Sequence, residues 1–255
     1  MNCDVSGISI LIPSYNTPFE YLNECINSIC NQTCINNYTF EIVWVNDGSD
    51  EQNTTELEKA LEFFKPYKNI ILVYKRLIIN QGICDVLNIG IELCSYDLIF
   101  RMDSDDIMYP TRIEKQIQFM IKNPQAMICG TQLVEYVCIK NNWVRNNHLI
   151  SNLPNVLSWY DFLQKPVGWV MNHPSLCYRK YAIEKIGKYS EDPIIKESKM
   201  EDFELELRFL KTFGVIYNLT DCLLIYRVYS KPKVKVKKYT HQQLRKYIIN
   251  KLLMS

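Results

Sequence analysis

FEIVWVNDGSDEQNTTELEKALEFFKPYKNIILVYK, residues 40–75, reads as strand, turn, helix and strand. FEIVWVND (40–47) is a short apolar run, TTELEKALEFF (54–64) is a helical stretch stopped by Pro66, and NIILVYK (69–75) is apolar again. Two strands separated by one helix of this length imply a parallel pair joined by a right-handed crossover. The rest of the chain extends the same alternation.

Upstream, ISILIP (8–13) reads as a buried strand ending at Pro13. Thr17 as N-cap, Pro18 at the first helical position and Glu20 three residues after the cap spell a capping box. Leu22, Ile26 and Ile29 then share a helical face. Downstream, GICDVLNIGIELC (82–94) places Leu87, Ile91 and Cys94 on one face, and YDLIFRMD (96–103) is the next strand. The first hundred or so residues therefore predict a doubly wound nucleotide-binding half. Past them, Pro110 opens a helix carrying Ile113, Ile117 and Met120 that stops before Pro124. AMICGTQLVEYVCI (126–139), SLCYR (175–179) and CLLIYRVY (222–229) read as strands, and MEDFELELRFLKTFG (200–214) as a helix with Phe203, Leu207 and Leu210 inward and Gly214 as its stop. The stretch from about 138 to 170 has no clear period. With no repeat or low-complexity linker, the expectation is one domain over 1–229 in two functional halves, 1–106 and 107–229, followed by a tail, 230–255.

The chain has 255 residues, 47% hydrophobic and 22% charged, as in ordinary globular domains. No apolar run reaches a membrane span, and MNCDVSGISILIPSYN has no basic region or cleavage site of a signal peptide, so a cytoplasmic location is expected. Ten cysteines lie inside predicted elements without a CxxC pair, which suits reduced core thiols. Three histidines, none in a paired ligand motif, argue against zinc. The net charge of +1 splits unevenly: +8 from Ser230 onward and −7 before it. Such a tail is either an arm folded on its own domain or a contact with an anionic surface.

Ligands of open parallel sheets bind outside the carboxyl ends of the strands. Here those ends carry Ser14, Tyr15 and Asn16, then Asn46, Asp47, Gly48, Ser49 and Asp50, then Asp103, Ser104, Asp105 and Asp106. In an extended segment Asp103 and Asp105 face the same way, and their repulsion is relieved by a hard divalent cation with oxygen ligands. A solvated turn is the plainer alternative. VNDGSD (45–50) is likewise good turn chemistry, or an Asp that accepts a pyrimidine imide N–H. Asp202, at the start of a predicted helix, reads as an acidic first-turn residue.

ISILIPSYN, VNDGSD, NQGICDVLNIGIE, IFRMDSDDIMYPTRIEKQ, NHPSLCYRK, MEDFELELR and LLIYRV, in that order over residues 8–229, resemble the family 2 glycosyltransferases of the GT-A fold. The resemblance implies an α/β fold with a Rossmann-like, mixed but mainly parallel sheet flanked by helices, and inverting sugar transfer from a nucleotide-sugar, with a UDP-sugar expected. The acceptor would be a glycan or a lipid-linked sugar. Nucleic acid is not an expected partner. In this reading Ser14 and Tyr15 line the base pocket, Asp47 holds the uracil edge, and Asn80 and Gly82 lie near the nucleotide. Asp103 contacts the donor and shares a Mn2+ or Mg2+ ion with Asp105, while Asp106 supports either. Asp202 is the catalytic base, with Glu201 orienting the helix start or touching the acceptor. Arg227 faces the diphosphate, although Tyr229 stands where many relatives have His. His173 is either near the donor sugar or structural.

Two other functions stay open on the sequence: a nucleotidyltransferase, which lacks a Gly-rich phosphate loop here, and a nucleotide-sugar binder without turnover. The tail ends in a predicted helix with Leu244, Ile248 and Leu252 on one face, suited to peripheral membrane contact or to docking on the domain.

Overall fold

Gly7–Ser14 forms β1 and Thr39–Asn46 forms β2, and their side chains alternate between the two faces of one sheet. Ile8, Ile10, Ile12, Phe40, Ile42 and Trp44 enter the core on one side, while Leu11, Val43 and Val45 enter the core on the other. Both faces are covered, which is why these strands read as continuous apolar runs. The structure, a computed structural model, describes residues 5–139, 142–166, 168–228 and 239–254.

The order continues with α1 (Phe19–Cys30) before β2, then α2 (Glu51–Leu61), β3 (Ile70–Arg76), α3 (Ile83–Leu93), β4 (Leu98–Arg101), β5 (Ile107–Met108) and α4 (Arg112–Lys122). Next come β6 (Ile128–Ile139), β7 (Asn142–Ile150), β8 (Val156–Ser158), α5 (Trp159–Gln164), β9 (Cys177–Arg179), α6 (Lys180–Lys185), α7 (Pro193–Ser198), α8 (Glu201–Phe213), β10 (Val215–Val228) and α9 (His241–Met254). The sheet order is β3-β2-β1-β4-β9-β6-β10-β5, with β7 beside β6 and β8 beside β10. The first four strands run parallel; β9 enters antiparallel to both β4 and β6, and β6 pairs parallel with β10. This is the mixed α/β sheet expected. Each core draws on residues from both sides of position 106.

The predicted helical faces are buried: Leu22, Ile26 and Ile29 on α1, Leu87 and Ile91 on α3, Ile113, Ile117 and Met120 on α4, and Phe203, Leu207 and Leu210 on α8. Gly214 stops α8 in the left-handed region at φ 81°. The Thr17 cap is a correction. The helix begins at Phe19 without a side-chain cap, and the Thr17 hydroxyl is instead hydrogen-bonded to that of Ser104 at 2.7 Å, tying the loop after β1 to the acidic loop. Residues 138–170, without a period in sequence, supply β7, β8 and α5; β7 pairs antiparallel with β6, the strand just before it, and β8 with the distant β10.

Every cysteine among the described residues is a free thiol, and most are buried. No helix among the described residues is long and apolar enough to cross a membrane. Leu244, Ile248 and Leu252 of α9 are buried against the domain, so the face proposed for lipid is used internally. Tyr247 donates to Asp192 at 2.8 Å, Lys251 pairs with the same carboxylate, and the Arg245 guanidinium lies over the Trp169 and Phe203 rings at 5.3 and 5.7 Å. The lysine run from 231 to 238 and the boundary at 229/230 lie outside the described residues.

Candidate active site

The carboxyl ends of β1, β2 and β4 open onto one cleft of about 580 Å³, a size suited to a small-molecule ligand. From β1 come Ser14 and Tyr15. The Ser14 hydroxyl accepts from the buried Trp44 indole at 2.9 Å, so it is partly spent on the core, whereas Tyr15 is 53% exposed.

Asp47, at the end of β2, clamps the loop before α3. It accepts from the Gln81 N–H at 2.7 Å, the Gly82 N–H at 3.0 Å and the Asn80 amide at 2.9 Å. Those three bonds use most of the carboxylate's roughly four acceptor positions. Burial raises the Asp47 pKa above the usual carboxylate value, and the two backbone donors oppose that rise. Gly48 has φ 68°, and a Cβ there would collide with the backbone of Ile79 and Asn80. The turn in VNDGSD lets Asp47 reach the loop that carries Asn80 and Gly82 into the cleft.

The acidic loop divides its carboxylates. Asp103 is 27% exposed and bonds at 2.6 Å to Arg101, whose side chain is only 4% exposed. Asp105 also lines the cleft. Asp106 is fully buried and points away from solvent, accepting from the Arg227 N–H at 3.0 Å. Burial, then Asp103 and Asp105, push its pKa well above the usual range. Asp106 is therefore a bolt between the loop and β10. Arg227 is not where it was expected: its guanidinium pairs with Glu24, lies 4.6 Å over the Tyr21 ring and donates to the Asp105 carbonyl, beneath the loop and off the cleft lining.

Glu201 and Asp202 start α8, and Glu201 lines the same cleft as Asp103 and Asp105. Burial, reinforced by Asp202, pushes the Glu201 pKa up to about 7. Burial likewise pushes Asp202 up to about 6, opposed by the Phe203 N–H at 2.6 Å and by the Arg101 charge. One turn on, Glu206 is fully buried; one oxygen accepts from the Met171 N–H at 3.2 Å and the other has no partner. Burial, then Asp202, raises Glu206 well above the usual range. A carboxyl raised in this way is protonated in the fold at pH values where the unfolded chain has lost the proton, so it costs stability as pH rises through the unfolded pKa. Glu206→Gln is expected to raise the Tm at pH 7 by about 2–4 °C, a gain that shrinks towards pH 4 in thermal melts.

His173 is buried outside the cleft lining, hydrogen-bonded through Nε2 to the Tyr189 hydroxyl at 2.7 Å. Burial, then Arg101, lowers its pKa well below 6.5, which describes a neutral structural histidine. Three cleft cations escaped the sequence reading: Arg101, Lys196 and Lys199. The i, i+2 spacing that groups Asp103 with Asp105 would also have grouped Arg101 with them. Lys196 lies on the short helix α7 and Lys199 is its C-cap, a segment that no sequence period marks.

No group of three or more His, Cys, Asp or Glu able to hold a metal is present among the described residues. An all-protein cage therefore does not fit. Asp103 and Asp105 on one cleft wall do fit an ion bound through one or two carboxylates and completed by ligand phosphates.

Residues 9–187 match the family described as Glycosyl transferase family 2. The O-antigen biosynthesis glycosyltransferase WbnJ of Escherichia coli is 32% identical over 237 residues, 91% of this chain and 83% of that protein. An Escherichia coli UDP-Gal:alpha-D-GlcNAc-diphosphoundecaprenol beta-1,3-galactosyltransferase is 28% identical over 216 residues, 82% of this chain and 70% of its own. In structure, S. aureus TarS 1–349 in complex with UDP-GlcNAc shares the fold with a TM-score of 0.71 at 16% identity, over 97% of this chain and 66% of that one.

Proposed function

The chain belongs to glycosyl transferase family 2 and is a glycosyltransferase, and from that premise we propose that its cleft binds a nucleoside-diphosphate sugar and passes the sugar to an acceptor hydroxyl with inversion. The observation that carries this reading is the shared cleft: Asp103 and Asp105 line one part of it, and Glu201, next to Asp202, lines another. A UDP-sugar is the donor favoured, in line with the UDP-GlcNAc held by TarS and the UDP-Gal in the name of the galactosyltransferase. A glycan or diphospholipid-linked sugar is the acceptor class, with polysaccharide or O-antigen synthesis as the setting.

In this mechanism Asp202 takes the proton of the acceptor hydroxyl as its oxygen attacks the anomeric carbon. Asp103, locked by Arg101, orients the donor, and the loop clamped by Asp47 forms the nucleotide wall with Ser14 and Tyr15. Asp105 with Asp103 would hold Mn2+ or Mg2+, which supplies charge neutralisation to the diphosphate when bound. Residues 1–106 form the donor half in this scheme and 107–229 the acceptor half. The test is UDP release from a panel of UDP-sugars with Mn2+. Release by the native chain, reduced at least about 100-fold in Asp105→Ala, is expected. Tight donor binding without release under any acceptor would replace the enzyme with a binder.

A further inference from the structure

A diphosphate entering this cleft meets the carboxylates of Asp47, Asp103, Asp105 and Glu201. Its own negative charge requires cations within reach. Of the cations lining the cleft, Arg101 is committed to Asp103 and Lys196 to Asp85 of α3 at 2.7 Å. Arg227, the cation that family resemblance put at the diphosphate, is turned towards Glu24. Lys199 is exposed and lines the cleft; its backbone N–H donates to the Ile195 carbonyl, while its ammonium has no ion pair or hydrogen bond among the described residues.

The backbone holds Lys199 in a defined place. It is the C-cap of α7 at φ 55° and ψ 53°, a left-handed conformation uncommon for a residue with a Cβ. Both flanks are anchored. Met200 is fully buried, and α7 is tied to α3 through Lys196 and to α9 through Asp192. The residue thus stands at the junction that leads directly into Glu201 and Asp202.

We infer that Lys199 is a binding residue for the leaving diphosphate, its ammonium donating to a non-bridging phosphate oxygen of the nucleoside diphosphate; this rests on the donor assignment above. As the acceptor oxygen bonds to the anomeric carbon, the bond from that carbon to the β-phosphate oxygen breaks and its electron pair stays on the phosphate. The acceptor proton goes to Asp202, so Lys199 transfers no proton. Its charge faces the negative charge that builds on the leaving group, the position where a fixed cation lowers the barrier.

Titration calorimetry of the full chain with UDP, UMP and uridine tests this directly. Lys199→Met and Lys199→Gly both remove the charge, and Gly suits φ 55°, so backbone strain does not obscure the result. Both variants are expected to bind UDP about tenfold more weakly while uridine affinity is unchanged, with Lys199→Arg restoring most of the loss. Unchanged UDP affinity in both neutral variants overturns the inference, as does an equal loss for uridine. If Lys199 serves only the neighbouring Glu201, the pH profile of turnover moves and UDP affinity does not, which also overturns it. Failure of the native chain to bind any of several nucleoside diphosphates would instead remove the donor assignment, and this inference with it.

Discussion

Asp202→Asn is expected to lower kcat by about 10²–10⁴ while leaving donor affinity within about twofold, because the substitution keeps the shape of the side chain and removes only its ability to take a proton. Asp202 is suited to this work by its surroundings. Burial lifts its pKa to about 6, while the Phe203 N–H and the Arg101 charge prevent it from rising further. The base must be ionised, so the direction follows: kcat/KM should be flat above about pH 7 and fall tenfold per pH unit below about pH 6. Steady-state kinetics from pH 4.5 to 8.5 measure both effects. A variant with native kcat, or a native profile with no acid limb, would exclude Asp202 as the base.

The second large effect concerns stability. Asp103→Ala is expected to cost about 3 kcal/mol and to lower the Tm by about 6–12 °C, because it strips the counter-ion from a buried guanidinium. Arg101 is 4% exposed, and its Nε and Nη1 already lack partners. The exposed edge of Asp103 places the expected cost at the lower end of the range for broken buried pairs. Asp105→Ala is the contrast. The bond that Arg227 makes to residue 105 uses the backbone carbonyl, which alanine retains, so that tie survives the substitution while activity is lost. Calorimetric melts of the two proteins side by side decide the matter; equal Tm values would mean that Asp103 has no structural share.

The alternation of strands and helices was legible because each element carries its period within about a dozen residues. Both faces of β1 and β2 are buried, and both read as apolar runs. Even the rim was legible, since in a parallel sheet the polar residues after each strand necessarily gather at one edge. Asp47, Asn80, Gly82, Asp103 and Asp105 do line or frame one cleft. The Thr17 cap failed because its hydroxyl had a competing partner, Ser104, far along the chain. Arg227 was misplaced for the same reason: a basic residue in LLIYRV can point to either side of the strand end, and Glu24 and Tyr21 drew it beneath the loop.

By itself the sequence determined the fold class, the family and the set of residues that meet at the sheet edge, because these depend on local periodicity and on the order of motifs. Only the tertiary structure decided how those residues divide their work. It separated buried Asp106 from cleft-lining Asp103 and Asp105, paired Asp103 with Arg101, turned Arg227 away and brought Lys199 in. The physical reason is that charge, unlike hydrophobic period, acts through its partner and its solvent. A carboxylate is a ligand, a bolt or a base according to what lies within a few ångströms of it, and the fold draws those neighbours from segments a hundred residues apart.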